Sequence, residues 1–215
     1  MTESLAAILA FAAGYFIGSV PSAYMAGRLF KGIDIRTIGS RNMGAMNTFY
    51  NLGFVPGALV LCTDILKGVA AVALARWLCT MATGGETIVW VEMVAGLFAV
   101  IGHNYPLWLG FKGGKGGATL IGVIIFFMPW AIPIGFGLFL VFTAITRFPT
   151  LSYGLAMLSF PFIAWLIYHR GDYVIYSSVT LLVPFLSYIP RIIEMKSKGG
   201  SWSRVIKRKN LKDRL

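Results

Sequence analysis

The chain has 215 residues, of which 57% are hydrophobic and only 13% charged, with a formal net charge of +11. Soluble domains carry about 25% charged residues, so a water-soluble globule is excluded, and 14% aromatic residues exclude a disordered chain. What remains is an all-α polytopic membrane protein, with its basic excess at the membrane surface and not on nucleic acid: no basic face is interleaved with stacking aromatics.

The apolar segments follow one another closely. The first covers about residues 4–27. Glu3 precedes it and no basic stretch does, so it reads as a retained membrane helix and not as a cleaved signal. Ser19, Pro21 and Ser22 are expected to break it near its end. Further segments cover about 53–80, 87–102, 117–129, 130–146, 149–168 and 173–190. The division of 117–146 rests on Pro129 and Pro133, which end or kink a helix. About seven crossings are expected, although the third and fourth segments are short against the roughly 20 residues a crossing takes. Cys62 and Cys79 would lie about 25 Å apart along one helix, too far to bridge. No Cys/His cluster has metal-ligand spacing.

The basic residues set the orientation. Arg28, Lys31, Arg36 and Arg41 fall in the first connection, Lys112 and Lys115 in the third, Arg147 in the fifth, and nine more follow residue 190. These connections share one side, which the positive-inside rule makes cytoplasmic. The N-terminus is then outside, and residues 1–190 form a single transmembrane domain with a basic cytoplasmic tail at 191–215 that lies on anionic headgroups.

Two cytoplasmic loops carry the chemistry. The first contains Gly39-Ser40-Arg41-Asn42-Met43-Gly44-Ala45-Met46-Asn47. Its Gly, Ser and Asn residues suit either a hydrogen-bonding turn or a ligand cradle. The second runs Gly102-His103-Asn104-Tyr105-Pro106, then Gly110-Phe111-Lys112-Gly113-Gly114-Lys115-Gly116. Glycines and lysines directly before an apolar helix suit an anion site, or a positive loop held at headgroups. The spacing is not that of a Walker A loop, because Gly116 follows Lys115. Asp64 and Lys67, three apart, share a helix face and can pair inside the bundle or serve a site. Arg147 is a membrane anchor or a ligand contact.

Together, Gly18-Ser19-Val20-Pro21, Asp34-Ile35-Arg36, Gly39-Ser40-x-Asn42-x-Gly44-Ala45-x-Asn47, Asp64-x-x-Lys67-Gly68 and the Gly102–Gly116 loop resemble the bacterial acyl-phosphate:glycerol-3-phosphate acyltransferases. The resemblance covers about residues 14–152. It departs from the family pattern at Arg41, Met43, Met46 and Tyr50, where a family arginine is replaced, and at Tyr153. In the tail, Lys207 stands where the family has His, followed by Arg208 and Asn210. Arg41 could supply the missing guanidinium from a nearby position.

The resemblance implies a seven-helix inner-membrane enzyme with its active site facing the cytoplasm. It would move a fatty acyl group from acyl phosphate to the 1-hydroxyl of glycerol 3-phosphate, giving lysophosphatidic acid, with no metal, no acyl-CoA and no other cofactor. Its partners would be those two substrates and membrane lipids, and a monomer is expected. Lys112 and Lys115 would neutralise phosphate charge, and His103 would be a base or a loop brace. Ser40, Arg41, Asn42, Gly44, Asn47, Asn104, Gly113, Gly114, Gly116, Arg147, Thr150 and Asn210 would bind substrate. The departures leave open a different acyl acceptor or a non-catalytic phospholipid- or phosphate-binding protein.

Overall fold

The computed structural model describes residues 1–206, all helix and connection. Asn210, Lys207 and Arg208 lie outside the described residues. The fold divides into two compact units, Met1–Phe126 and Phe127 onward.

In the first unit, α1 (Glu3–Gly18) is capped by the Thr2 hydroxyl, which accepts from the Leu5 amide. The chain breaks at Ser19–Pro21 and resumes as α2 (Ser22–Lys31), which ends at Gly32 in a left-handed conformation. Next come α3 (Ala45–Leu52), α4 (Phe54–Thr83), α5 (Val89–Asn104) and α6 (Gly117–Phe127). Small residues set the helix spacing. A Cβ on Gly18 would strike the Ala99 carbonyl of α5, and one on Gly122 of α6 would strike the Ile65 carbonyl of α4. Close backbone approach of this kind is how helices associate where lipid removes the hydrophobic drive. Ala7 and Ala10 of α1, Ala75 and Cys79 of α4, and Val91 and Ala95 of α5 fill that seam.

The same unit pairs a buried carboxylate with an exposed guanidinium. The Arg76 guanidinium forks onto Glu92, Nε to Oε1 at 3.0 Å and Nη2 to Oε2 at 2.7 Å, and stacks over the Phe126 ring at 4.4 Å. Glu92 is fully buried, so the bidentate partner offsets its desolvation. Cys62 and Cys79 are unbridged, one exposed and one buried.

The second unit holds α7 (Ala131–Thr146), α8 (Pro149–Met157), α9 (Phe160–Leu166), α10 (Gly171–Gly199) and α11 (Trp202–Ile206). Arg147, with φ 56, terminates α7. Pro149 then opens α8 at a position where its missing N–H costs nothing. The Thr146 hydroxyl accepts from the Phe148 amide and meets Ser152 Oγ at 2.9 Å, fixing this corner. The residue 190–191 boundary expected for a separate tail falls inside α10, which runs on to Gly199.

The apolar segments of the sequence all become helical, but 149–168, expected as one segment, is two helices, α8 and α9, parted at Leu158–Ser159. Four helical stretches are long and apolar enough to cross a membrane: Glu3–Lys31 across its break, Phe54–Thr83, Pro149–Leu166 and Gly171–Gly199. Gly117–Phe127 and Ala131–Thr146 are apolar but shorter.

Candidate functional site

The site is built around the break between α1 and α2. A helix end leaves carbonyls without intrahelical donors. Here Lys67 of α4 supplies the donor, its Nζ reaching Val20 O at 2.6 Å and Gly18 O at 3.5 Å. The same ammonium sits 2.6 Å from Asp64 Oδ1, which also accepts a short hydrogen bond from Ser22 Oγ at the start of α2. Asp64 and Lys67 are both buried. The pair therefore staples the broken helix to α4 and does not face an open cavity.

The first loop is folded by its own side chains. Asp34 Oδ1 accepts from the Arg36 amide, and the Arg36 guanidinium closes on the same carboxylate, Nη2 to Oδ2 at 2.8 Å. These bonds hold the Asp34 carboxyl below its ordinary value of 3.8. Asn47 uses its whole amide. Its Oδ1 accepts from the Ser40 amide at 2.9 Å and from Asn51 Nδ2 at 2.9 Å, and its Nδ2 donates to Ile35 O and Ile38 O. The first loop is thus a hydrogen-bonded turn around a buried asparagine.

The second loop turns back across the end of α5. The Gly113 amide donates to Asn104 O and the Gly114 amide to His103 O, each at 3.0 Å. These two N–H groups satisfy the helix end, so they are not the ligand donors that a glycine-rich loop suggests. The glycines serve contact instead. A Cβ on Gly114 would strike His103 Nε2 and the Met43 carbonyl, and one on Gly113 would strike the His103 carbonyl. Gly116, at φ +73, packs on Val100 and Asn104 in the same way.

The two loops meet in a cleft of about 530 Å³ lined by Asp34, Arg36, Thr37, Arg41, Leu109, Gly110, Lys112 and Gly113. Arg36 Nη1 donates to Leu109 O at 3.2 Å and ties the walls together. Three cations face one carboxylate, and Arg36 already holds that carboxylate. The remaining positive charge, from Arg41 and Lys112, suits an anion. Arg41 stands at φ 57, a conformation costly for a residue with a Cβ, and is exposed.

The structure sorts the expected site residues. Arg41, Lys112 and Gly113 line the cleft. Asn47, His103, Asn104, Gly114 and Gly116 are buried behind it as braces. Ser40 is exposed, with its amide committed to Asn47. Gly44 caps α3 with the Asn42 amide against it. Lys115 is partly buried and outside the lining. Arg147 and Thr150 belong to the second unit, at the α7–α8 corner. The sequence reading did not name Asp34, Arg36, Thr37, Leu109 or Gly110 as site residues, although Asp34-Ile35-Arg36 and Gly110 stood within its motifs. The Asp-x-Arg spacing permits a side chain to cap and grip its own turn.

Residues 8–197 match the family model described as glycerol-3-phosphate acyltransferase. The chain is 54% identical over 217 residues to glycerol-3-phosphate acyltransferase 2 of Dehalococcoides mccartyi strain 195, covering 100% of both chains. It is 41% identical over 182 residues to the glycerol-3-phosphate acyltransferase of Parasynechococcus marenigrum, covering 83% of this chain and 81% of that one. The fold is similar to the crystal structure of PlsY, an integral membrane glycerol 3-phosphate acyltransferase, in its glycerol 3-phosphate form. The TM-score is 0.78 at 29% identity, with 89% of this chain and 92% of that chain covered.

Proposed function

Because this chain belongs to the glycerol-3-phosphate acyltransferase family, we propose that the cleft between its first two loops receives a phosphate group of the reactants. The chain is a multi-pass membrane enzyme of phospholipid synthesis that transfers an acyl group to glycerol 3-phosphate. The observation that carries the site is the cleft itself: Arg36, Arg41 and Lys112 converge there on a wall of glycine backbone.

The donor in this reading is acyl phosphate. The 1-hydroxyl oxygen of glycerol 3-phosphate attacks the acyl carbonyl carbon. The carbonyl–oxygen bond to phosphate breaks, and hydrogen phosphate leaves with the proton that the hydroxyl gives up. Lysophosphatidic acid is the other product. The donor is already activated, so the protein's task is to hold two anions side by side and neutralise their charge. Arg41 and Lys112 do this in the cleft. Lys115 neutralises the second phosphate. Ser40, Asn42, Gly44, Asn47, Asn104, Gly113, Gly114 and Gly116 shape the two loops. Arg147, Thr150 and Asn210 are assigned to substrate binding by the resemblance alone, apart from the cleft, and no cofactor takes part.

Seven crossings place the N-terminus outside and the C-terminus in the cytoplasm. The basic excess on residues 28–52, 103–116 and after 190 supports this orientation. The site then faces the cytoplasm from the inner membrane, in a monomer with a basic segment at its C-terminal end.

The test is acyl transfer by the purified protein in detergent, given palmitoyl phosphate and glycerol 3-phosphate, with lysophosphatidic acid and phosphate both followed. Equal release of the two, with a raised KM for one substrate in Lys112→Ala, supports the reading. Phosphate release without lysolipid overturns it.

A further inference from the structure

The Asp64–Lys67 staple has a third neighbour that helix stapling does not require. His103, on the last turn of α5, is buried, and its Nδ1 stands 3.6 Å from Asp64 Oδ1. That nitrogen has no hydrogen-bond partner among the described residues, and neither has Asp64 Oδ2. A buried imidazole aimed at a buried carboxylate is an arrangement that fixes ring orientation. The other end of the ring touches the loop: Nε2 lies where a Cβ on Gly114 would be. One residue earlier, Gly113 lines the cleft, and Lys112 lines it beside Gly113. The Gly114 amide in turn donates to the His103 carbonyl, so His103 holds that glycine by backbone and by ring.

We propose that His103, oriented by Asp64, is a positioning residue that sets the depth of the Lys112–Gly114 segment and so the affinity of the cleft for a phosphate group. Asp64 holds the Nδ1 side of the ring, and the Nε2 edge is the shelf on which Gly114 rests. His103 does not line the cleft. It acts through the loop and takes no proton from the acceptor hydroxyl. Lys112 meets a phosphate only while this segment keeps its place, so a shift of the segment is read in substrate affinity. The proposal rests on the phosphate reading of the cleft.

Three variants separate the parts of the ring. His103→Leu fills similar space without polar atoms. His103→Asn keeps a partner for Asp64 but stops short of Gly114. His103→Gln reaches Gly114. KM for each phosphorylated substrate, kcat and the thermal midpoint are measured in detergent, and equilibrium binding of inorganic phosphate is measured beside them. The expected result is a rise in KM of about tenfold or more for one substrate in the Leu and Asn proteins, as the loss of one hydrogen bond to a charged group gives. Their kcat should stay within about threefold of wild type, and the Gln protein should recover most of the loss. His103→Asn keeps the test open if His103→Leu does not fold. Unchanged KM in the Asn protein overturns the proposal, as does a loss confined to kcat, which would place His103 in the chemical step. If the wild-type protein binds phosphate but makes no lysolipid, the acyltransferase reading fails. Weakened phosphate binding in the Asn protein then still supports the positioning role, and unweakened binding overturns it.

Discussion

Arg36 and Leu109 join the two loops of the site by one bond, from the Arg36 Nη1 to the Leu109 carbonyl at 3.2 Å, across 73 residues of sequence. Arg36 can make that bond because its other edge is held by Asp34 and its plane lies over Tyr24, 5.3 Å from the ring centroid. Three constraints on one guanidinium turn a flexible side chain into a strut, and both walls of the cleft depend on it.

Arg36→Lys is therefore not a conservative change. An ammonium cannot grip the Asp34 carboxylate with two nitrogens while reaching Leu109 O. The expected outcome is a rise in KM of about tenfold for a phosphorylated substrate, equivalent to about 1.4 kcal/mol of lost binding. Steady-state acyl transfer at fixed detergent concentration measures it. A KM within twofold of wild type would show that the strut is dispensable.

The Asp34–Arg36 pair also fixes a pH window. Arg36 depresses the folded-state pKa of Asp34 below 3.8. A depressed carboxyl contributes stability above its unfolded pKa, and that contribution is lost as pH falls through the folded value. The pair is thus fully formed from neutral pH down to about 5, and it loosens only below the ordinary aspartate range. Between pH 8 and 5, the difference in unfolding free energy between wild type and Asp34→Asn in chemical denaturation should stay constant. It should shrink below pH 4, where the wild-type carboxyl also becomes neutral.

Lys67 faces a harsher balance, because Asp64 is fully buried. Removing one member of a buried pair leaves the other uncompensated and costs about 3–5 kcal/mol. Lys67→Met should lower the thermal midpoint sharply and leave Val20 O without its donor. Lys67→Met combined with Asp64→Asn should cost less than the sum of the single changes, since no charge is then stranded. Differential scanning fluorimetry of the four proteins closes the cycle. Strict additivity would mean that the two side chains stabilise the break independently.

The helices were legible in the sequence because a membrane selects long apolar runs, and the break at Ser19–Pro21 followed from proline chemistry; the run of α10 on to Gly199 and the split of 149–168 into α8 and α9 were not legible. The loops were legible only as composition. Nothing in Gly113-Gly114 says whether the amides face a ligand or cap α5; that depends on α5 ending within reach, which is a tertiary fact. Asn47 likewise carries the same signal as a ligand and as a brace, and four hydrogen bonds to its own loop make it the brace. Asp64 and His103 are 39 positions apart in sequence, and only the packing of α4 on α5 brings them together. Arg36 was visible within the family pattern, but its strut needs Leu109, which no local spacing reveals.

Two glycines of the second loop separate steric from conformational demand. Gly110 has φ +61 and open space where a Cβ would stand. Gly110→Ala meets no neighbour and bears only the left-handed backbone cost, about 1–2 kcal/mol. Gly114 is buried, and a Cβ there collides with His103 Nε2 and with the Met43 carbonyl, a backbone atom that cannot swing away. Gly114→Ala must push the second loop off the first, so the walls that carry Arg41 and Lys112 part. We expect Gly110→Ala to fold with a modestly lower midpoint and a smaller rise in KM than Gly114→Ala. Gly114→Ala should raise KM for a phosphorylated substrate by about tenfold or more, as the loss of a hydrogen bond to a charged group does. Equal, small effects from both changes would mean that the loops can separate without cost, and that the cleft between them does not hold the phosphate.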